Sequence, residues 1–220
     1  IPDGYGPSLT FCYPFLDNSL PEYWTAATEF AGVNGNGDTL WASPLAGCTL
    51  PEYEIVITEI MYNPPESGTD TLEFVELYNN GGIPVDMEGF YFSEGLTYTF
   101  PSVVIPPDEY LVICVDSAAF HSVFGFTALQ WTDGALSNSG ENLALRDKFN
   151  TEVDFVPYDD EMPWDTLADG SGPSLTLCNP ALDNSLAVNW AASYEFAAIN
   201  AAGDTLFATP GAGCGEPVLP

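Results

Sequence analysis

The chain has 220 residues, 46% apolar and 14% aromatic but only 15% charged, the composition of a folded protein long enough to bury a core. Thirty-two Asp and Glu face two cations, Arg146 and Lys148, for a formal charge of −30. Two cations cannot neutralise a phosphate backbone, which excludes nucleic-acid binding, and so acidic a surface is repelled by anionic lipid headgroups. No apolar run approaches the ~20 residues of a membrane span, so membrane insertion is excluded as well. One histidine, His121, leaves little material for His-based catalysis or a multi-histidine metal site.

The chain begins Ile1-Pro2-Asp3, without initiator Met, basic n-region or apolar h-region, and this end is expected to come from processing or excision. From residue 54 onward the reading is β. Glu54–Tyr62 alternates Ile55, Ile57 and later Ile60 with polar neighbours, close to the period-2 pattern of a half-buried strand, and Asn63-Pro64-Pro65 stops it. Leu72–Tyr78 alternates again before the turn Asn79-Asn80-Gly81-Gly82. Further strands are expected at Gly89–Ser93, Tyr98–Phe100, Tyr110–Val115, Asn142–Arg146, Val153–Tyr158 and Ser174–Cys178, with one helical turn at Ser117–Phe124. Short strands between turn signals predict an all-β antiparallel sandwich, with Phe74, Tyr91, Phe100, Trp131, Trp164 and Trp190 as core fillers.

Self-comparison adds a long-range rule. Asp3 to Cys48 and Asp169 to Cys214 align without a gap over 46 residues at a constant offset of 166, with 29 identities. The period predicts a tandem repeat of 166 residues. Residues 1–48 are then the C-terminal part of a preceding repeat, 49–214 one complete repeat, and 215–220 a Pro-containing linker to a following one.

The pieces ITEIMYNPP (57–65), LEFVELYNNG (72–81), PVDMEGFYF (84–92), IPPDEYLVI (105–113), LSNSGENLALRD (136–147), VDFVPYDDEMPW (153–164), GPSLTL (172–177) and TPGAG (209–213) occur in an order that resembles the lamin tail domain of secreted bacterial proteins. The resemblance covers residues 54–214. It implies an immunoglobulin-like β-sandwich that serves as an interaction or structural module with no catalytic residues.

Five cysteines occur. Cys12 and Cys48 are 36 apart, as are their repeat equivalents Cys178 and Cys214, which reads as one disulfide closing the C-terminal third of each unit; paired buried thiols are the alternative. Cys114 is left over: either a buried free thiol, or a partner for Cys178 or Cys214. Five Asp-Ser/Thr-aliphatic triplets resemble the acceptor motif of a bacterial O-glycosylation system, making Thr39, Thr71, Ser117, Thr166 and Thr205 candidate acceptors; ordinary turn composition is the competing reading. Calcium is the one cofactor expected of so acidic a chain, with Asp38, Asp204, Asp159 and Asp160 as candidate ligands. None of them has EF-hand spacing, and the counterpart of Asn36 is Ala202, so a solvated acidic face is the favoured reading.

No nucleophile elbow, phosphate loop or zinc spacing occurs, and no enzymatic role is expected. The expected function is a structural module of an extracellular bacterial tandem-repeat protein forming a fibre, stalk or surface filament. Its partners are copies of itself or neighbouring repeats, joined by strand complementation at residues 1–48. The alternatives are an adhesin or carbohydrate-binding module, or an accessory domain of an exported hydrolase.

Overall fold

The structure, a computed structural model, describes residues 4, 6–12, 17–44 and 52–214. The chain divides into two compact units, Ile1–Glu52 and Tyr53–Pro220.

The smaller unit holds two antiparallel pairs. Strand β1 (Leu9–Phe11) pairs with β2 (Trp24–Ala26), Leu9 opposite Ala26 and Phe11 opposite Trp24. Strand β3 (Phe30–Val33) pairs with β4 (Thr39–Trp41). The hairpin turns at Asn34, whose side-chain oxygen accepts the N–H groups of Asn36 and Asp38, each at 2.9 Å. That Asx turn is what Asn-Gly-Asn-Gly at residues 34–37 favours.

The larger unit is built on β5 (Ile55–Met61) and β6 (Phe74–Asn79). In β5 the register shifts between Ile57 and Glu59, a bulge that inserts Thr58. The bulge explains why the apolar alternation in the sequence slips: Ile55, Ile57 and Ile60 all reach one core although 57 and 60 are three apart. Strands β7 (Val85–Asp86), β8 (Tyr91–Glu94), β9 (Val104–Ile105) and β10 (Tyr110–Cys114) follow. Helix α1 (Ser117–Phe124) comes next, where Ser117–Phe124 reads as helical. Asp116 caps it, accepting from Ala118 N–H at 2.9 Å and Ala119 N–H at 3.0 Å, and Gly125 ends it in the left-handed region. Then come β11 (Leu129–Gln130), β12 (Glu141–Arg146), β13 (Glu152–Tyr158), β14 (Leu175–Thr176), β15 (Ala191–Ala192), β16 (Phe196–Ile199) and β17 (Thr205–Phe207).

Six strands form one sheet in the order β11-β10-β6-β5-β14-β15, and three form a second, β13-β12-β8. All pairs are antiparallel except β10 with β11, which is parallel and departs from the all-antiparallel expectation. Ile57, Ile60, Val75, Leu77 and Ile113 of the large sheet pack on Phe92, Leu143, Leu145 and Val156 of the small one, making the immunoglobulin-like sandwich. The opposite face of the large sheet is also covered. There Met61, Phe74, Val112 and Cys114 meet Phe120 of α1 and Leu206 and Ala208 around β17. Phe74 packs edge-on against Phe120 and Phe124, both with ring centroids 5.7 Å apart.

Of the expected core aromatics, Phe74, Phe100, Trp131, Trp164 and Trp190 are buried and Tyr91 is half-buried. Tyr98–Phe100 alternates like a strand but is not one. Both rings reach the core, and the backbone hydrogen-bonds to residues 89–92, Phe92 N–H to the Tyr98 carbonyl at 3.1 Å and Phe100 N–H to the Phe90 carbonyl at 2.8 Å, but the pairing amounts to a single bridge, Tyr91 with Thr99, and does not run on as a ladder.

Each apolar side chain taken wholly from water contributes about 1.5–3 kcal/mol, and truncation also leaves a cavity. Leu77→Ala, at the centre of the sandwich, is therefore expected to lower unfolding stability by about 2–5 kcal/mol, read as a reduced urea midpoint with unchanged slope.

Candidate interaction site: a buried carboxylate pair under the C-terminal segment

A half-buried strand should turn Glu59 and Glu76 to water. Instead both are buried, and so is Glu73. Glu59 of β5 lies directly opposite Glu76 of β6, on the sheet face away from the sandwich. What covers them is residues 172–214, the segment that recurs at 6–48.

The segment supplies most of the hydrogen bonds that make this burial tolerable. The Ser174 hydroxyl donates to Glu59 Oε1 in a short contact. Thr209 donates twice to Glu59, its N–H to Oε1 at 2.9 Å and its hydroxyl to Oε2 at 3.0 Å. Gly211 N–H donates to Glu76 Oε2 at 2.6 Å, and Thr58 within the sheet gives its hydroxyl to Oε1 at 2.8 Å. Burial disfavours the charged form of each carboxyl and pushes both well above the ordinary range; for Glu76 the neighbouring Glu59 charge adds to this. Removing such donors would strand carboxylates in a dry interior, at a cost of about 1–3 kcal/mol or more for each unmet group.

Further contacts tie the same segment down. Asn184 Nδ2 donates to Asp154 Oδ2 at 2.7 Å, and the same oxygen accepts Ile57 N–H at 2.6 Å. Asn200 Nδ2 donates to the Pro65 carbonyl at 3.1 Å, and Ala192 N–H to Asp165 at 2.9 Å. Leu177 N–H extends the pairing of β14 with β5, donating to the Thr58 carbonyl at 2.8 Å. Gly172 has positive φ, and a Cβ there would collide with the Thr205 carbonyl, so only glycine lets the start of the segment lie against β17. Elsewhere in the body, Glu73 accepts Leu136 N–H at 2.8 Å, and burial pushes its carboxyl up to about 7. Burial likewise pushes Asp154 up to about 6.

Cys178 and Cys214 are joined by a disulfide. Both ends lie inside the segment, so the bridge closes the segment on itself and leaves its hold on the sheet non-covalent. Closing a loop 36 residues long contributes about 3–4 kcal/mol through the unfolded state. Cys12 is described, but Cys48 lies outside the described residues. Cys114 is a buried free thiol beside Phe74 and Phe120, pushed up to about 12 chiefly by burial.

The other candidates are scattered. Of the five hydroxyl-bearing residues, Thr166 alone is exposed. Thr71 donates to Glu66 at 2.7 Å and Ser117 to Gln130 at 3.0 Å, while Thr39 and Thr205 are half-buried equivalents on β4 and β17. Asp38 and Asp204 each accept the amide of a turn asparagine, Asn34 at 2.9 Å and Asn200 at 3.2 Å. Asp159 accepts Glu161 N–H at 2.9 Å, and Asp160 is half-buried beside it. Among the described residues no group of three or more His, Cys, Asp or Glu side chains is placed to hold a metal ion. No helix among them is long and apolar enough to cross a membrane.

The family model of the lamin tail domain matches residues 51–160, half of the chain. No curated protein matches it. The chain belongs to the lamin tail domain family, whose immunoglobulin-like domains are non-catalytic and serve in structure and protein interaction. The match spans the body that bears Glu59 and Glu76 and stops before the segment that covers them. Sequence reasoning missed this pairing. Its only signals were a glutamate within Ile-Thr-Glu-Ile-Met and a serine kept at positions 8 and 174.

Buried carboxyls titrating above their unfolded values set the sign of the pH dependence. From about pH 4 up to about 6 on Asp154 and about 7 on Glu73 and Glu59, the folded protein holds protons that the unfolded chain has released, and Glu76 is displaced in the same direction. Stability from Asp154, Glu73 and Glu59 is full below about pH 4 and is lost as pH rises through about 6 to 7. Urea midpoints are expected to be higher at pH 5 than at pH 7.5, and Glu59→Gln is expected to flatten that difference.

Proposed function

We propose that the chain is a structural module of an extracellular bacterial protein in which lamin tail units repeat in tandem and build a fibre, stalk or surface filament. In this reading residues 1–48 close a preceding unit, 49–214 are a complete one and 215–220 lead to the next. The observation that carries the proposal is a repetition in both sequence and backbone. Strands β3 and β4 recur as β16 and β17 at an offset of 166, with the same pairing and the same register shift: Phe30 opposite Trp41 becomes Phe196 opposite Phe207, and Val33 opposite Thr39 becomes Ile199 opposite Thr205. The short helical turn Pro21–Tyr23 recurs likewise as Ala187–Asn189.

The disulfide favours an oxidising compartment. The partners are further copies of the same unit, and calcium acts in this proposal as a counterion that weakens repulsion between chains of net charge −30. The adhesin reading is less well supported, because Trp131, Trp164 and Trp190 are buried and offer no platform for a sugar ring.

Electron microscopy of the native material in low-salt and in calcium-containing buffer tests the reading. Regular filaments with a globular repeat are expected. Dispersed beads under both conditions would overturn it.

A further inference from the structure

We propose that residues 6–44 are a plug for the body of an adjacent lamin tail module in the same chain, received at a strand edge that presents a buried glutamate pair of the Glu59–Glu76 kind. This rests on the tandem reading above and gives it a defined joint.

The two copies of the segment differ in what covers them. Leu175 is 0% exposed, Trp190 5% and Leu206 0%, yet their counterparts Leu9, Trp24 and Leu40 are 55%, 37% and 38% exposed. The covering of the second copy is known residue by residue. Leu175 pairs with Ile60 and Thr176 with Glu59 along β5, and Leu206 packs among Met61, Phe74 and Val112. In the smaller unit β1 pairs with β2, and among the described residues no strand lies along its other edge. A cavity of about 220 Å³ lies over the β1–β2 pair, lined by Thr10 of β1, Thr25 and Ala26 of β2, and Glu29 and Ser43 among others. Thr10 and Ser43 are the counterparts of Thr176 and Thr209, the positions that meet Glu59 in the larger unit. Two of the positions that line the cavity are thus those whose counterparts meet that glutamate.

The polar anchors to the body are retained too. Ser8 stands for Ser174, Asn18 for Asn184, Asn34 for Asn200 and Ser43 for Thr209, so each side chain that hydrogen-bonds to the body from these four positions has a hydrogen-bonding counterpart. Trp24 Nε1 donates to the Asn18 carbonyl at 2.9 Å, as Trp190 Nε1 does to Asn184 at 2.8 Å, which pre-forms the plug in its docked shape. Gly6, like Gly172, has positive φ with no room for a Cβ beside the Thr39 carbonyl. The ligand chemistry is thus specified: an edge strand with a leucine- or isoleucine-like residue opposite Leu9, and a carboxyl opposite Thr10 that accepts from Ser8 and Ser43.

The test extends the intact chain at its N-terminus, placing a second copy of residues 49–168 before residues 3–220. Hydroxyl-radical labelling of Trp24 is expected to fall to the level of Trp190, and amide exchange across residues 8–12 to slow to that of 174–178. Glu59→Leu in the added copy alone is expected to restore Trp24 labelling and leave Trp190 unchanged. A control joins the added copy to residues 169–214, to establish that it folds with its own segment. Trp24 still fully labelled in the extended chain, beside a folded control, overturns the proposal. Trp24 protected despite Glu59→Leu overturns the carboxylate pair as the recognition feature. Concentration-dependent protection in the unextended chain would assign the face to a second copy instead. Filament formation is read separately, so either proposal can fail while the other stands.

Discussion

Two glutamates opposite each other on neighbouring strands, covered from water, are the constraint on which the larger unit depends. A sheet can bury an apolar face against almost anything apolar. A face carrying Glu59 and Glu76 closes only under a segment that brings donors to fixed places, and Ser174, Thr209 and Gly211 bring them from 115 to 150 residues away in sequence. The apolar contacts of Leu206 and Ala208 supply the area, while the carboxyls supply the register. Buried ionisable groups of this kind add little stability, and their oxygens are satisfied only where the donors of the segment meet them.

The covering segment is organised to act as a unit. Its disulfide joins two of its own residues, its two strand pairs are local, and its turn is set by a single asparagine side chain at Asn200. Its internal contacts are therefore largely local, and it adds two strands to the large sheet, β14 beside β5 and β15 outside β14. The family match ends before it begins. Body and segment share one core within the larger unit, while the segment alone has a sequence counterpart in the smaller unit.

The acidity of the chain has a local use as well. Asp17, Asp86, Asp116, Asp147, Asp159, Asp165 and Asp183 each accept the N–H of the residue two places on. These carboxylates set turns and a helix cap between short strands, where a chain of this architecture needs them most. The residual charge has almost nothing to pair with: Arg146 bridges Glu152 at 3.0 Å, and Lys148 sits over the Phe149 ring.

Local signals in the sequence carry over well into the structure. Alternation placed β5, β6, β10, β12 and β13 to within a few residues, and Asp116 with Gly125 bounds the helix at Ser117–Phe124. The repeated segment keeps its hairpin register because turn residues and alternation act over a handful of positions. Tertiary structure alone decided the two-residue strands β7, β9 and β11, the parallel pairing of β10 with β11, and above all which strand faces meet water. A glutamate in an alternating strand looks the same whether its face is solvated or covered. The difference lies in a chain segment more than a hundred residues away, and no local pattern can encode its arrival.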